Sequence, residues 1–173
     1  IYSTKDLVDY LVDSNYVLSC NIIFKTEEVC LEFQKFKSHF SIVIAGGGVV
    51  FNHLNEYLFI VKNQILDLPK GKMETGEGIS IAAKREVIEE CGFTKLELHN
   101  FLTETYHIYV QNKQTFLKHN YWFLFYADNF SSLKPQIEEG ITELKWIPED
   151  QLIQILDKTH LSIKHLFFDL LYD

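Results

Sequence analysis

The stretch Gly71–Phe93, GKMETGEGISIAAKREVIEECGF, decides how this chain is read. Gly71 and Gly76 punctuate a first loop, a helix follows, and Gly92 stands where a left-handed residue would close that helix. At about 100° per residue, Glu86 and Glu90 lie roughly 40° apart on one helix face, with Glu89 on its near side. Ala82 precedes them by one turn on that face and is small enough to leave a gap. Ala83, Val87 and Cys91 edge the acidic stripe on one flank, Ile81 and Ile88 on the other.

A narrow acidic stripe is costly. Like charges four residues apart destabilise a helix by roughly 0.2–0.5 kcal/mol per pair, and the opposite-charge pair Arg85–Glu89 recovers a similar amount. A hard divalent cation removes the repulsion, because carboxylate oxygens suit Mg²⁺ or Mn²⁺. A bare Glu-x-x-Glu-Glu would read as a solvated acidic face. The full spacing is another matter: seven fixed positions at roughly one in fifteen each recur by chance on the order of 10⁻⁸ per window.

The segment resembles a complete Nudix box, G-x5-E-x7-R-E-U-x-E-E-x-G-U with U bulky and apolar, running without gap or substitution from Gly71 to Phe93. The resemblance implies an α/β fold, an α/β/α sandwich around a mixed sheet. It also implies a metal-dependent pyrophosphohydrolase acting on a small phosphorylated substrate. On that footing Glu86, Glu89 and Glu90 hold one or more Mg²⁺ or Mn²⁺ ions with the Gly71 carbonyl, and Glu77 lies in or near the metal shell. Arg85 orients a carboxylate through its planar fork.

Composition narrows the setting. The chain has 173 residues, 47% hydrophobic and 23% charged, enough for one compact domain with a sizeable core. A net charge of −8 opposes binding to a nucleic acid duplex, yet admits a phosphorylated small molecule when metals stand between. No apolar run reaches the length of a membrane span. The three cysteines, Cys20, Cys30 and Cys91, form no C-x-x-C pair, which fits buried thiols in a reduced cytoplasmic setting.

Taken in order, residues 1–38 read as a small α/β appendage, and residues 39–173 as the Nudix domain. Ser3 or Thr4 would cap a helix carrying Leu7, Val8, Leu11 and Val12. A strand is expected over Val17–Phe24, then a helix over Thr26–Phe36 capped by Thr26. The appendage carries no recognisable chemistry; docking on the main body and self-association, hence a homodimer, both stay open. Phe40–Phe51 reads as a strand with Gly46-Gly47-Gly48 inside it. No Gly-Lys-Ser or Gly-Lys-Thr follows, so the run reads as close backbone packing rather than a phosphate loop. Tyr57–Lys62 is a second strand.

Lys70 and Lys72 flank Gly71, where the chain is expected to turn sharply, and stand where they can meet phosphate oxygens. Leu96–Val110 and Phe116–Tyr126 form a hairpin whose aromatics read mainly as core, with base stacking as the alternative. The polar loop Ser131–Thr142 precedes a strand over Leu144–Ile147. Pro148 opens a helix with Glu149 and Asp150 at its positive end, and a helix over roughly His160–Leu171 closes the core.

The general base lies either in the box or on a distant loop; Glu138 and Glu139 are the loop candidates. The resemblance leaves the substrate broad: a nucleotide sugar, a dinucleoside polyphosphate or a nucleoside triphosphate. Members acting on ADP-ribose-type substrates often carry a proline about fifteen residues past the box, where this chain has Ile108 and Tyr109. A tyrosine such as Tyr109 near that point is seen in some dinucleoside polyphosphate hydrolases. Two other classes compete. One is a catalytically silent nucleotide-binding or regulatory module, which the intact Glu86, Glu89 and Glu90 oppose. The other is an isopentenyl diphosphate isomerase, whose relatives depart from the box.

Overall fold

The computed structural model describes residues 3–12, 23–128 and 133–172. The chain clusters into two compact units, Ile1–Val43 with His107–Lys118, and Ile44–Tyr106 with His119–Asp173.

In the first unit, α1 spans Thr4–Val12 and α2 spans Val29–Ser38. Ser3 caps α1, its Oγ accepting the Asp6 N–H at 3.1 Å, while the Thr4 hydroxyl donates to the Glu32 carboxylate. The second helix starts three residues later than Thr26, whose hydroxyl accepts the Glu28 N–H (3.1 Å) ahead of it, and Glu28 occupies the cap position. Phe36 stacks on Phe33 and meets Phe40, with ring centroids 6.1 and 5.0 Å away. Of the strand expected over 17–24, residues 17–22 fall outside the described residues, and Ile23 and Phe24 are not in a strand.

Among the described residues seven strands form: β1 (Ser41–Asn52), β2 (Glu56–Lys62), β3 (Ile65–Asp67), β4 (Lys70–Lys72), β5 (Glu97–Gln111), β6 (Gln114–Ala127) and β7 (Ile141–Pro148). They join one mixed sheet in the order β3-β2-β1-β6-β5, with β4 on β1 and β7 on β2. Two hairpins turn through paired left-handed residues, Asn63–Gln64 and Asn112–Lys113, the backbone of a turn that follows the strands' own twist. Gly71 does not turn. It is extended in β4, paired with Gly46 of β1. The expectation of a bend at Gly71 is therefore corrected; a glycine is needed there for space.

Helix α3 (Ile79–Cys91) covers one face of the sheet, α4 (Leu152–Leu156) and α5 (Leu161–Tyr172) the other. Strand alternation divides the side chains. Val50, Leu58, Ile60, Phe123 and Phe125 pack with Ala83, Val87 and Cys91 of α3. Val49, Phe59 and Trp122 pack with Leu152, Leu156, Ile163, Leu166 and Phe167. Phe167 stacks on Phe59 at 5.2 Å and meets the edge of Tyr57 at 5.6 Å, so the last helix closes the core as expected. The residues around Pro148 differ slightly from expectation: a 3-10 turn over Glu149–Gln151 intervenes before α4. The glycine run is a packing device. A Cβ on Gly46 would stand 2.6 Å from the Ala83 backbone N, one on Gly47 2.6 Å from the Trp122 ring, and one on Gly48 2.6 Å from Val87. No helix among the described residues is long and apolar enough to cross a membrane.

Candidate active site

Because Gly46 and Gly48 let α3 lie directly on β1, the helix brings its polar face over the edge where β4 joins β1. Its C-terminus is fixed by Gly92 in the left-handed region (φ 76°), whose N–H donates to Ile88 O at 2.8 Å. The last carbonyls are met from outside the helix: Lys134 N donates to Cys91 O and Gln136 N to Glu90 O, both at 3.0 Å. These bonds tie the segment before β7 to the end of α3. A 3-10 turn, Ile137–Glu139, follows at once.

Arg85 organises the carboxylates. Its Nε and Nη2 grip both oxygens of Glu77 at 2.9 and 3.0 Å, the fork-on-fork geometry that favours guanidinium over ammonium. Its Nη1 donates to Glu86 Oε1 at 2.8 Å and Glu89 Oε2 at 2.9 Å, and Nη2 reaches the Lys72 carbonyl at 3.0 Å. Bonding to Glu77 above all, then to Glu86 and Glu89, holds the guanidinium charged well above the ordinary arginine range. In return the Arg85 fork, aided by the Glu74 N–H, draws the Glu77 carboxyl below the usual carboxylate range.

Two of the glutamates, Glu86 and Glu90, lie against β4 at Gly71 and Lys70. A Cβ placed on Gly71 would stand 1.9 Å from Glu86 Oε2, so this carboxylate occupies the space the glycine leaves open. Glu90, 3% exposed, accepts the N–H of Lys70 at 2.9 Å, and its other oxygen is 3.7 Å from Lys62 Nζ. Burial raises the Glu90 carboxyl above its usual range, against the pull of the Lys70 N–H and the Lys62 charge. Glu89 is half exposed (48%) on the Arg85 side. Among the described residues no three acidic, histidine or cysteine side chains already converge as a cage. Each glutamate is engaged by Arg85, Lys62 or a backbone N–H. The residues nonetheless fit a hard divalent cation. The donors are carboxylate oxygens, one of them in a cradle that a Cβ would fill, and Glu90 carries a burial cost that a cation would offset.

The other expected site residues are placed as follows. Lys70 does not reach into solvent: its ammonium meets Asp67 Oδ2 at 2.5 Å and Leu68 O at 3.1 Å, and lies 5.9 Å from the Trp122 ring. Lys72 is exposed beside the site and gives Arg85 its carbonyl. Glu139 reaches the cluster, its Oε2 standing 3.4 Å from the Lys62 Nζ that also faces Glu90. Glu138 is exposed on the same turn. Tyr109 belongs to the other unit and stacks on Phe116 at 5.2 Å.

Two features were missed in the sequence. Lys62, bridging Glu90 and Glu139, leaves no signal, since only the β2–β7 register with its bulge at Val61/Lys62 brings it near. The other is a polar set on β5 and β6. Thr105 Oγ1 accepts the Trp122 indole N–H at 2.8 Å, and Asn120 Nδ2 lies 3.5 Å from the same oxygen. Asn120 Oδ1 is buried without a partner among the described residues, a state that costs about 1–3 kcal/mol. The signal was present: His119-Asn120 interrupts an otherwise aromatic strand.

The family model of the NUDIX domain matches residues 42–170. In fold the chain is similar to a C. elegans Ap4A hydrolase in a binary complex, at 23% identity and TM-score 0.57, covering 74% of this chain and 94% of that one. It is also similar to a MutT protein from Methanosarcina mazei Go1 (15% identity, TM-score 0.58, 75% and 92% covered). A third similar structure is the E. coli dihydroneopterin triphosphate pyrophosphohydrolase (14%, 0.58, 74% and 93%). At these identities the structures bear on the fold alone. The family match spans most of the chain and contains the whole glutamate cluster, so the chain belongs to the Nudix family and is a hydrolase acting on phosphoanhydride bonds.

Proposed function

We propose that this chain is a divalent-cation-dependent pyrophosphohydrolase of small nucleoside diphosphate derivatives, with a nucleotide sugar, a dinucleoside polyphosphate or a nucleoside triphosphate as substrate, working in the cytoplasm. The observation that carries this reading is the Glu86 carboxylate lying on the bare Cα of Gly71, beside the buried Glu90. Glu86, Glu89, Glu90 and the Gly71 carbonyl would hold Mg²⁺ or Mn²⁺, with Glu77 behind them. Held there, such a cation would supply charge neutralisation at the diphosphate and activation of water.

The rest falls to the chain's own residues. Arg85, anchored on Glu77, keeps Glu86 and Glu89 from drifting apart as substrate enters. Lys62 holds Glu139 next to Glu90, where Glu139 takes a proton from the attacking water. The water oxygen bonds to one phosphorus, the bridging P–O bond breaks, and its electron pair leaves on the departing phosphate. Lys72 lies beside the growing charge on those oxygens. Lys70 works at one remove, through Asp67 and through the N–H it gives to Glu90. Catalysis is assigned to residues 39–173, with residues 1–38 as an appendage.

The test is hydrolysis of a panel of nucleoside diphosphate derivatives with Mg²⁺ and with Mn²⁺. Wild-type protein turns over at least one of them. Glu90→Gln, which keeps the Lys70 hydrogen bond, loses at least about 10²-fold in kcat, some 2.7 kcal/mol of barrier. Glu139→Gln costs more than Glu138→Gln. Full activity in Glu90→Gln overturns the metal assignment, and tight binding without turnover by the wild type favours a silent binding module.

A further inference from the structure

Arg85, Lys70 and Lys62 all stand at the glutamates, but they are not held alike. Arg85 donates at 2.8 to 3.0 Å to Glu77, Glu86, Glu89 and the Lys72 carbonyl. The Lys70 ammonium is fixed on Asp67 Oδ2 at 2.5 Å and Leu68 O at 3.1 Å, so its hydrogen bond to Glu90 comes from the backbone N–H. Lys62 is the loose one. Its Nζ stands 3.7 Å from Glu90 Oε1 and 3.4 Å from Glu139 Oε2, both beyond the roughly 2.7–3.2 Å of a well-formed N–H···O bond. Its side chain is 30% exposed, that of Glu90 only 3%. An ammonium on a flexible four-carbon stem, shared between two carboxylates and open to water, is the group here that can move. Glu90 needs it nonetheless. A buried carboxylate is costly unless paired, and the Lys70 N–H meets only its Oε2.

We infer that Lys62 is the resident counter-cation of Glu90, a residue that sets the site's affinity for divalent ions by competing with them for that carboxylate. The inference rests on the metal-dependent reading above and deepens it. An ammonium and a divalent ion draw on the same Glu90 oxygen and repel each other at close range. Lys62 therefore weakens ion binding, although it belongs to the site. When Glu90 turns to an ion, Lys62 keeps its other partner. Strand β2 pairs Lys62 with Ile141 of β7, just past the 3-10 turn that carries Glu139, so the root of the lysine stays beside Glu139 whatever Glu90 binds. The lysine thus has two positions, one shared between the carboxylates and one on Glu139 alone.

The experiment is calorimetric titration of Mn²⁺ into the whole chain without substrate, comparing wild type, Lys62→Met and Lys62→Arg. Methionine keeps most of the length of lysine and none of its charge; arginine keeps the charge. Lys62→Met is expected to bind Mn²⁺ about 10-fold more tightly than the wild type, and Lys62→Arg about as the wild type does. A lysine that only braces the fold gives the opposite sign, weaker binding in Lys62→Met. Lys62→Gln gives the same readout should the methionine variant fail to fold. Equal or weaker Mn²⁺ binding in the uncharged variant, or the same gain in Lys62→Arg, overturns the inference. Either result leaves the metal-dependent reading intact, since the wild type still binds the ion. No Mn²⁺ binding by any of the proteins removes that reading, and the inference with it.

Discussion

Gly71 and Glu86 show how one missing methyl group shapes a site. The Gly71 backbone is extended and any residue could adopt it, so the demand for glycine comes from the carboxylate lying on its Cα. Gly71→Ala should therefore leave the melting temperature within a few degrees of wild type, while the displaced Glu86 lowers hydrolysis by about 10²-fold. Activity close to wild type in Gly71→Ala would show that Glu86 need not rest there. At this scale the sequence was informative where spacing alone carries the message. Gly71, Glu77, Arg85, Glu86, Glu89, Glu90 and Gly92 stand at one fixed pattern, and one helix with its preceding loop gathers them. It was uninformative where partners come from distant strands. Lys62 is an ordinary strand lysine until β7 sets it beside Glu139. Lys70 read as a lysine placed to meet phosphate oxygens, and its ion pair with Asp67, three residues earlier, was not foreseen.

The decisive contact between elements is α3 on the glycine run of β1. The backbones approach so closely that a Cβ on Gly46 would stand 2.6 and 2.8 Å from Ala83 backbone atoms, which cannot swing aside as a side chain can. Gly46→Ala should cost about 1–3 kcal/mol in urea unfolding, the usual penalty of overpacking, and should also lower kcat because α3 carries the glutamates. Unchanged stability would mean that the helix rides higher on the sheet than described. The run's role in packing was legible, since no phosphate-loop residues follow it. The last helix was legible from its apolar spacing. Strand β4 was not: three residues, Lys-Gly-Lys, carry no periodicity, and only pairing with Ala45–Gly47 makes them a strand. The late start of α2 was equally hidden: Thr26 bonds the Glu28 N–H two residues on, as a cap can, yet Glu28 stands at the cap position.

Across the whole molecule, two faces of one sheet divide the work. The α3 face anchors the glutamates, and the α4–α5 face seals the opposite core. The sandwich was readable from strands, box helix, strands and terminal helices in that order. The cost of the acidic cluster is spread over this frame: Arg85 serves three carboxylates, and Lys62 with the Lys70 N–H serves Glu90. A cation must compete with those partners, so binding of the ion itself is the most direct probe of the account. The measurement is a Mn²⁺ titration of the intact chain followed by electron paramagnetic resonance, with wild type beside Glu86→Gln and Glu90→Gln. The account predicts saturable Mn²⁺ binding by the wild type, weakened at least about 10-fold in each variant. Binding of equal strength in all three proteins, or none in the wild type, contradicts it.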